Sequence, residues 1–368
     1  RLWVGLEFSG LICQMDAREL CRKPELPGSD GCLYRSIGYD DFKQKFGVNL
    51  QAFPRPIATH PHGFCFDEDK HTDGPTAHIW FTGKLTNTVG RLRLSDGAVE
   101  HFELPTLGAV PIYVELGCDR NIWGTCLDSN KIFRVTQGES PLVTEVPITR
   151  DPAGGRRPIA IKRSPCGEAM WFSNEAGHSV ARVDTAMVER IVSRQGTQPT
   201  GDAAVAIHSE AVASLAAEQG VFEGPDKLHD AVLEYAVPMM SAEMKLAGLA
   251  FDKEGNLWTQ SYHGNMKLAA YSMVDKEAAD PDYIVKIDSL ILQQACDQVA
   301  RRMEGTTRDK AGKMSGIPVQ QFELPTTATT LHRIVAGPPC EQSDSETSMW
   351  FTELFADRVG TVRLCREA

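Results

Sequence analysis

Residues 59–67, which read Thr-His-Pro-His-Gly-Phe-Cys-Phe-Asp, decide the fold because they open the fullest copy of a phrase that the chain repeats. A second strand-like stretch follows at residues 79–84 and reads Ile-Trp-Phe-Thr-Gly-Lys. Two more come at residues 89–94 and 101–106. Four short strands in meander order predict one blade of a β-propeller.

The tryptophans mark further copies of this phrase. Five of the six follow an apolar residue and precede small or polar residues: Trp80, Trp123, Trp171, Trp258 and Trp350. A second phrase containing proline recurs at residues 51–54, 102–106, 145–149, 234–238 and 322–326. Repeats of this period, built of short strands, predict consecutive propeller blades.

We therefore predict an all-β fold, with a single β-propeller domain over residues 1–368. Six four-stranded blades are favoured, at residues 10–55, 56–106, 107–149, 150–238, 239–326 and 331–364. In this count residues 2–6 supply the outer strand of the last blade and so remove an open sheet edge. If Trp3 belongs to an independent blade, the count is seven.

Two predicted blades carry helical insertions, at residues 185–228 and 289–316. The first has helical spacing from Ala203 to Gln219, and the second has an N-cap candidate at Asp288 or Ser289. Both follow the third strand of their blade, so they should emerge on the same face. Each is either a surface helix or part of a lid at the mouth of a pocket.

Charge and composition exclude several classes of protein. The net charge of −11 lacks the basic surplus that binds phosphates, so no nucleic acid partner is predicted. No run of 18 apolar residues occurs, so no membrane span is predicted. No nucleophile elbow or phosphate-binding glycine loop appears either, and no cofactor is predicted. The sequence makes no prediction of an oligomeric state.

The ten cysteines, none in a Cys-x-x-Cys pair, favour disulfides and a secretory route. The alternative is buried free thiols, as we expect for Cys65 in a core strand. The chain begins at Arg1 rather than Met, which suggests a removed upstream segment, with a signal peptide as one candidate. The predicted location is the secretory pathway or outside the cell.

Polar side chains recur at the repeat positions expected to face the central channel. His62 and His332 occupy equivalent positions and are predicted acid–base groups, because imidazole changes charge near neutral pH. Lys84 is predicted to act with them as a donor to a ligand oxygen. The structural alternatives are turn-capping histidines, a solvated lysine and glutamates that pair neighbouring blades. The predicted substrate-binding residues are His60, Tyr113, Glu175, Lys245, Tyr262, His263, Arg333 and Glu353.

Residues 61–67, the Trp-Phe-Thr phrases, and residues 87–92 followed by Phe-Glu-Leu-Pro-Thr resemble the streptogramin B lyases, or virginiamycin B lyases. The resemblance covers most repeats but neither insertion. It implies a seven-bladed propeller that opens a cyclic depsipeptide by elimination, with His62 as the matching base and Mg²⁺ held by glutamates. His60 and Lys84 stand where those glutamates would be, so no metal site is predicted.

The combination of such a propeller, helical insertions and many cysteines is also similar to fungal hetero-Diels–Alderases of secondary metabolism. This resemblance implies a metal-free cyclisation of apolar small molecules, joining a tropolone quinone methide to a humulene-type sesquiterpene. That terpenoid chemistry is the preferred function. The alternatives are elimination on a cyclic ester and a non-catalytic propeller that binds a ligand or a protein.

Overall fold

The computed structural model describes residues 2–6, 11–15, 51–53, 60–67, 78–149, 155–196, 227–241, 243–263, 281–294, 313–314, 317–327, 329–337, 346–353 and 358–365. For the first three of these ranges only the course of the backbone is described. Several strands are buried along their whole length, because the sheets that contain them have a neighbouring sheet on each face.

The described strands form six sheets. The first contains β1 (Leu2–Leu6), β2 (Leu11–Met15) and β3 (Gln51–Phe53). The second contains β4 (Pro61–Phe66), β5 (His78–Gly83), β6 (Thr88–Arg93) and β7 (Val99–Glu103). The third contains β8 (Pro111–Leu116), β9 (Ile122–Cys126), β10 (Lys131–Val135) and β11 (Val143–Pro147).

The other three sheets follow the same plan. The fourth contains β12 (Pro158–Arg163), β13 (Ala169–Asn174), β14 (Ser179–Asp184) and β15 (Val232–Ala236), with β19 (Lys313–Met314) parallel to β15. The fifth contains β16 (Met244–Phe251), β17 (Leu257–His263), β18 (Pro281–Ile287) and β20 (Gln320–Thr327). The last contains β21 (Leu331–Ala336), β22 (Glu346–Glu353) and β23 (Arg358–Cys365).

The sheets are arranged around a centre, which confirms the predicted all-β propeller, and several of its sheets have four strands. The first strand of each sheet lies beside the first strand of the next: β1 beside β4, β4 beside β8, β8 beside β12, β12 beside β16, and β16 beside β21. These are the innermost strands of the propeller. The count of six blades stays a prediction.

Each of the buried tryptophans packs against the following sheet. Trp80 joins the apolar cluster of Val114 and Ile122, in β8 and β9. The following sheet is likewise the packing partner of the other three: the fourth sheet for Trp123, the fifth for Trp171 and the last for Trp258. Burial of an indole removes on the order of 200 Å² from water, or about 5 kcal/mol of gross hydrophobic stabilisation. The repeated tryptophan therefore holds neighbouring blades together.

The predicted ring closure through residues 2–6 is wrong. These residues form β1, which pairs antiparallel with β2 in the first sheet, whereas the last sheet has the order β21-β22-β23. The connection between β1 and β2 is only four residues long, so their pairing closes a much shorter loop than pairing across the whole chain would.

The first insertion begins as a helix, α1 (Thr185–Gly196). Asp184 accepts the backbone N–H of Met187 at 2.9 Å and so caps its N-terminus. Val188 and Ile191 lie in the core between the third and fourth sheets. The helix predicted from Ala203 to Gln219 lies outside the described residues; a 3₁₀ turn, Leu228–Ala231, leads into β15.

The second insertion begins as a helix at residue 289, described as far as 294, and the backbone carbonyl of Asp288 accepts the N–H of Leu292 at 3.1 Å. Both insertions start where a third strand ends, and they therefore emerge on one face. That face is opposite to the starts of the innermost strands. The described parts of the insertions do not cover the end of the channel where the predicted site residues lie.

The predicted disulfides are absent from the described cysteines. Cys65, Cys118, Cys126 and Cys166 are free thiols, and the other six of the ten lie outside the described side chains. Burial raises the pKa of the Cys65 thiol, which packs beside the core as a small apolar group. The prediction of disulfides is therefore wrong for Cys118, Cys126 and Cys166, whereas the free thiol expected at Cys65 is confirmed. Of the helices described, none is long and apolar enough to cross a membrane.

Candidate functional site

Every innermost strand from β4 to β21 carries a β-bulge near its start. The pairing register shifts between Pro61 and Phe64 in β4, and at the equivalent places in β8, β12, β16 and β21. A bulge adds a residue to one strand and re-aims its side chains. The bulge pairs are 62–63, 112–113, 159–160, 247–248 and 332–333. Sequence reasoning aligned these positions correctly but did not detect the bulges.

A polar side chain two positions after each tryptophan holds the bulge. The Gly63 N–H donates to Thr82 Oγ1 at 2.9 Å, and Thr82 Oγ1 donates to the Ile112 carbonyl of the next sheet at 2.9 Å. Thr125, Ser173 and Gln260 make the same two-sided bridge, and Thr352 accepts the Arg333 N–H. The bridge satisfies backbone groups that the bulge removes from the ladder.

Four bulge residues form what we name the central cluster: His62, Tyr113, His332 and Arg333. The His62 ring centroid lies 5.9 Å from that of Tyr113 and 5.9 Å from that of His332. The Tyr113 hydroxyl donates to the His332 carbonyl at 3.4 Å. The fold thus brings three strands, β4, β8 and β21, together through side chains that are far apart in sequence.

The tautomer of His62 follows from its hydrogen bond. Nδ1 lies 3.1 Å from the Ile112 carbonyl oxygen, and because a carbonyl only accepts, Nδ1 carries the proton. Nε2 therefore carries the lone pair. Burial, followed by the positive charges of Arg333 and Lys84, lowers the pKa of His62 to about 4. The imidazole is neutral at physiological pH and can accept a proton at Nε2.

Arg333 lies against Tyr113, with its guanidinium carbon 4.0 Å from the centroid of the phenol ring. Both backbone polar groups of Arg333 are hydrogen-bonded. Its N–H donates to Thr352 Oγ1 at 3.0 Å, and its carbonyl accepts a hydrogen bond from Gln260 Nε2 at 3.0 Å. Burial raises the pKa of Tyr113, so the phenol stays protonated. The guanidinium has a cation–π partner on its face.

His60 and Lys84 lie at the same end of the propeller as the central cluster. The Lys84 N–H donates to the His60 carbonyl at 3.3 Å, which joins the start of β4 to the end of β5. His60 has a φ of 50°, a left-handed conformation that is unusual for a non-glycine residue. Lys84 is close enough to His62 for its charge to lower the histidine pKa.

Glu175 and Tyr262 are placed together, but in a link between blades. The Tyr262 hydroxyl donates to Glu175 Oε1 at 2.9 Å, and Arg157 Nε donates to Glu175 Oε2 at 2.7 Å. Arg157 also pairs with Asp128. Glu175 is only 7% exposed, and its two oxygens have partners from two sheets. Sequence reasoning missed Arg157; a charged residue directly before an innermost strand was the available signal.

The remaining predicted residues contact neighbours outside the central cluster. Glu353 accepts a hydrogen bond from Thr326 Oγ1 at 2.7 Å. His263 Nδ1 lies 3.4 Å from Asp282, a fully buried carboxylate that also binds the Thr329 N–H and hydroxyl. Lys245 lies opposite Tyr262 in the ladder between β16 and β17.

Three comparisons with known proteins place this geometry in context. The profile of the virginiamycin B lyase family matches residues 69–269. A search of curated proteins found no match. Among solved structures, a streptogramin B lyase is 19% identical with a TM-score of 0.51, over 87% of this chain and 70% of that one.

Two structures of virginiamycin B lyase from Staphylococcus aureus are similar to the same degree. A catalytically inactive histidine-to-alanine variant with quinupristin is 16% identical with a TM-score of 0.51, covering 87% of this chain and 71% of that chain. The selenomethionine protein is 18% identical with a TM-score of 0.50, covering 89% and 72%. At these identities the likeness shows the fold alone.

The Mg²⁺ that the resemblance implies does not fit the residues of this site. A hard cation needs several oxygen ligands, and carboxylates are the usual ones. The two positions that would supply them hold His60 and Lys84, and Arg333 adds a second positive charge beside His62. Within the described part of the chain, no group of three or more His, Cys, Asp or Glu residues could hold a metal ion.

Proposed function

The chain belongs to the virginiamycin B lyase family, and from this premise we propose that it is an enzyme that eliminates an oxygen leaving group from a small molecule without a metal ion. One observation carries the proposal: His62 presents a neutral Nε2 beside the cations Arg333 and Lys84. A neutral base accepts the proton, and the cations stabilise negative charge that develops on oxygen.

The step balances without an external reagent. Nε2 of His62 takes a proton from the substrate, and the electron pair left behind forms the new double bond. The carbon–oxygen bond to the leaving group breaks, with Lys84 or Arg333 donating a hydrogen bond to the departing oxygen. The imidazolium then returns the proton to that oxygen, so the net change is loss of water or opening of an ester.

For the substrate, we propose a hydroxymethyl tropolone. His62 takes the tropolone hydroxyl proton, the hydroxyl of the hydroxymethyl group leaves and becomes water with the proton returned by His62, and the remaining methylene carbon becomes that of a quinone methide. The quinone methide then adds to an alkene of a humulene-type sesquiterpene, forming one carbon–carbon and one carbon–oxygen bond with no change in total oxidation state. Holding two reactants in contact can supply roughly 7–11 kcal/mol of the barrier, which suits a site without a cofactor.

The second candidate is elimination that opens a cyclic ester, which the family match favours. It uses the same base and the same proton path. The substitution of carboxylate positions by His60 and Lys84 argues against a Mg²⁺-dependent version of this reaction. The two candidates therefore differ in substrate rather than in the groups that act.

The test is incubation of the protein with a hydroxymethyl tropolone and humulene, followed by mass spectrometry of the adducts. We expect faster formation and a changed product ratio compared with buffer, and a loss of about a hundredfold or more in His62→Gln, since general bases contribute about 10²–10⁴. His229→Gln, on the 3₁₀ turn, is the matched control and should retain activity.

A parallel incubation with quinupristin, with and without Mg²⁺, tests the second candidate. Ring opening that requires Mg²⁺ would contradict the metal-free mechanism. An adduct ratio identical to that in buffer would rule out the tropolone substrate. Full activity of a folded His62→Gln protein would remove His62 from the mechanism.

A further inference from the structure

Several partly buried cations of this protein are paired with carboxylates, although Arg182 and Lys245 form no ion pair in the described part of the chain. Arg91 binds Glu100 at 2.7 Å, and Arg134 binds Asp119 at 3.0 Å. The same is true of Lys131 with Glu145, Arg156 with Glu234, Arg157 with Glu175 and Lys162 with Glu115. Such pairing is expected, because a charge withdrawn from water is costly unless an opposite charge compensates it.

Arg333 differs from these paired residues. No carboxylate in the described part of the chain forms an ion pair with it, although it is half-buried and its backbone is held by Thr352 and Gln260. Tyr113 covers one face of the guanidinium at 4.0 Å. The cation–π contact and a side-chain hydrogen bond to Tyr113 leave the other N–H groups of the guanidinium available, and those groups prefer negatively charged oxygens.

Among the described residues, the side chains that contact Arg333 or share its cluster are neutral or positive. His62 and Tyr113 are uncharged at neutral pH, and Lys84 adds a positive charge near His62. No negative charge from the described protein groups therefore compensates Arg333. A bound ligand in the central cluster is the simplest source of that charge, since the cluster contains the base proposed for catalysis.

We propose that the central cluster holds a planar organic oxyanion, such as the enolate that forms when His62 takes the hydroxyl proton of the substrate, through the guanidinium edge of Arg333. The guanidinium fork matches two coplanar oxygens bidentately, which a lysine in its place would not do. Tyr113 holds the fork in one orientation. The inference rests on the proposed function, because it assigns a substrate class to the same site.

The experiment measures binding rather than turnover, by calorimetry with two matched ligand pairs. Tropolone, as its anion, is compared with its neutral methyl ether, and benzoate is compared with neutral benzamide. Wild type, Arg333→Gln, Arg333→Lys and the control Arg358→Gln, an exposed arginine of β23, are compared after their folding is checked by circular dichroism.

We expect at least one anion to bind wild type about tenfold or more tightly than its neutral partner, as a charge-assisted hydrogen bond predicts. Arg333→Gln should abolish that preference, Arg333→Lys should keep part of it, and Arg358→Gln should leave it unchanged. Equal binding of anion and neutral ligand in both pairs, failure of all four ligands to bind, or an unchanged preference in Arg333→Gln would overturn the inference.

The outcome is separable from that of the proposed function. Anion binding that depends on Arg333, without any turnover, would support the inference and contradict the proposed elimination. If Arg333→Gln keeps its turnover and its affinity for the anions, the proposed elimination would be supported and the inference about Arg333 would be contradicted.

Discussion

His62 in β4 donates through Nδ1 to the carbonyl of Ile112 in β8, at 3.1 Å, so a neighbouring blade fixes the tautomer of the proposed base. The same carbonyl accepts the Thr82 hydroxyl at 2.9 Å. Two donors thus meet on an oxygen that the bulge in β8 exposes. The proton on His62 is placed by contact between blades, which couples the stability of the ring to the chemistry at its centre.

Thr82→Val should cost both stability and activity. Valine has nearly the shape of threonine but leaves the Gly63 N–H without its acceptor and the Ile112 carbonyl without one donor. An unpaired buried group costs about 1–3 kcal/mol, measurable by urea unfolding. A displaced His62 should reduce turnover about tenfold or more.

Ser173→Ala is the matched control, because Ser173 makes the equivalent bridge in a blade whose bulge carries no histidine. It should lose similar stability and keep its turnover. Equal activity losses in Thr82→Val and Ser173→Ala would show that the bridge acts only through general stability. Thr82→Ser keeps the hydroxyl and should behave as wild type.

Gly63→Ala should destabilise the fold. A Cβ at this position would lie 2.5 Å from the Ile112 carbonyl oxygen and 2.8 Å from the Tyr113 Cα, both backbone atoms that cannot rotate away. Overpacking of this kind costs about 1–3 kcal/mol, seen as a lower melting temperature. Gly155→Ala has no atom within 4 Å of its Cβ and should change stability by less than about 0.5 kcal/mol. A Gly63→Ala protein as stable as wild type would contradict the close approach of β4 and β8.

Acid should weaken the fold through His62. Its pKa falls from 6.5 in the unfolded chain to about 4 in the folded protein, so between these values only the unfolded state binds the proton. The contribution is fully present above pH 6.5 and is lost as pH falls toward 4. At pH 5 the loss should be about 2 kcal/mol.

The check is urea unfolding of wild type and His62→Gln at pH 7 and pH 5. The difference between the two proteins should change by that amount, because other titrating groups are common to both. A difference that does not depend on pH would mean that the histidine is exposed enough to keep its ordinary pKa.

Tyr262→Phe should reduce stability and leave turnover unchanged. The lost hydroxyl donates to Glu175, a buried carboxylate that would keep only its Arg157 contact. A hydrogen bond to a charged group contributes about 1.5–3 kcal/mol, measurable as a shift in the urea midpoint. If turnover falls while stability is unchanged, Tyr262 binds substrate, as the sequence predicts.

The sequence repeat is sufficient to predict the fold. Trp80 and its counterparts recur with an apolar residue before them and a small or polar one two places later, and both halves of that pattern have a physical cause. The indole fills the space between sheets, and Thr82 holds the bulge. Local sequence carries this information because the same contacts within and between sheets recur in every blade.

The equivalence of His62 and His332 also followed from sequence, as did that of Tyr113 and Arg333, because repeat alignment needs no distances. Their meeting in one cluster did not follow. It depends on how far β21 stands from β4 and β8 across the centre, and no local pattern specifies that spacing. The pairing of β1 with β2 likewise depended on competition between two possible partners.

The sequence by itself determined the blade, its buried tryptophan and which positions face the centre, because these depend on residues close together in the chain. Only the tertiary structure decided that Glu175 and Tyr262 link blades, whereas His62, Tyr113 and Arg333 face one another. The residue type of a carboxylate or an imidazole does not show whether it links two blades or faces the centre. Its role is set by the partners that folding brings to it from distant strands, which satisfy some polar groups and leave others for a ligand.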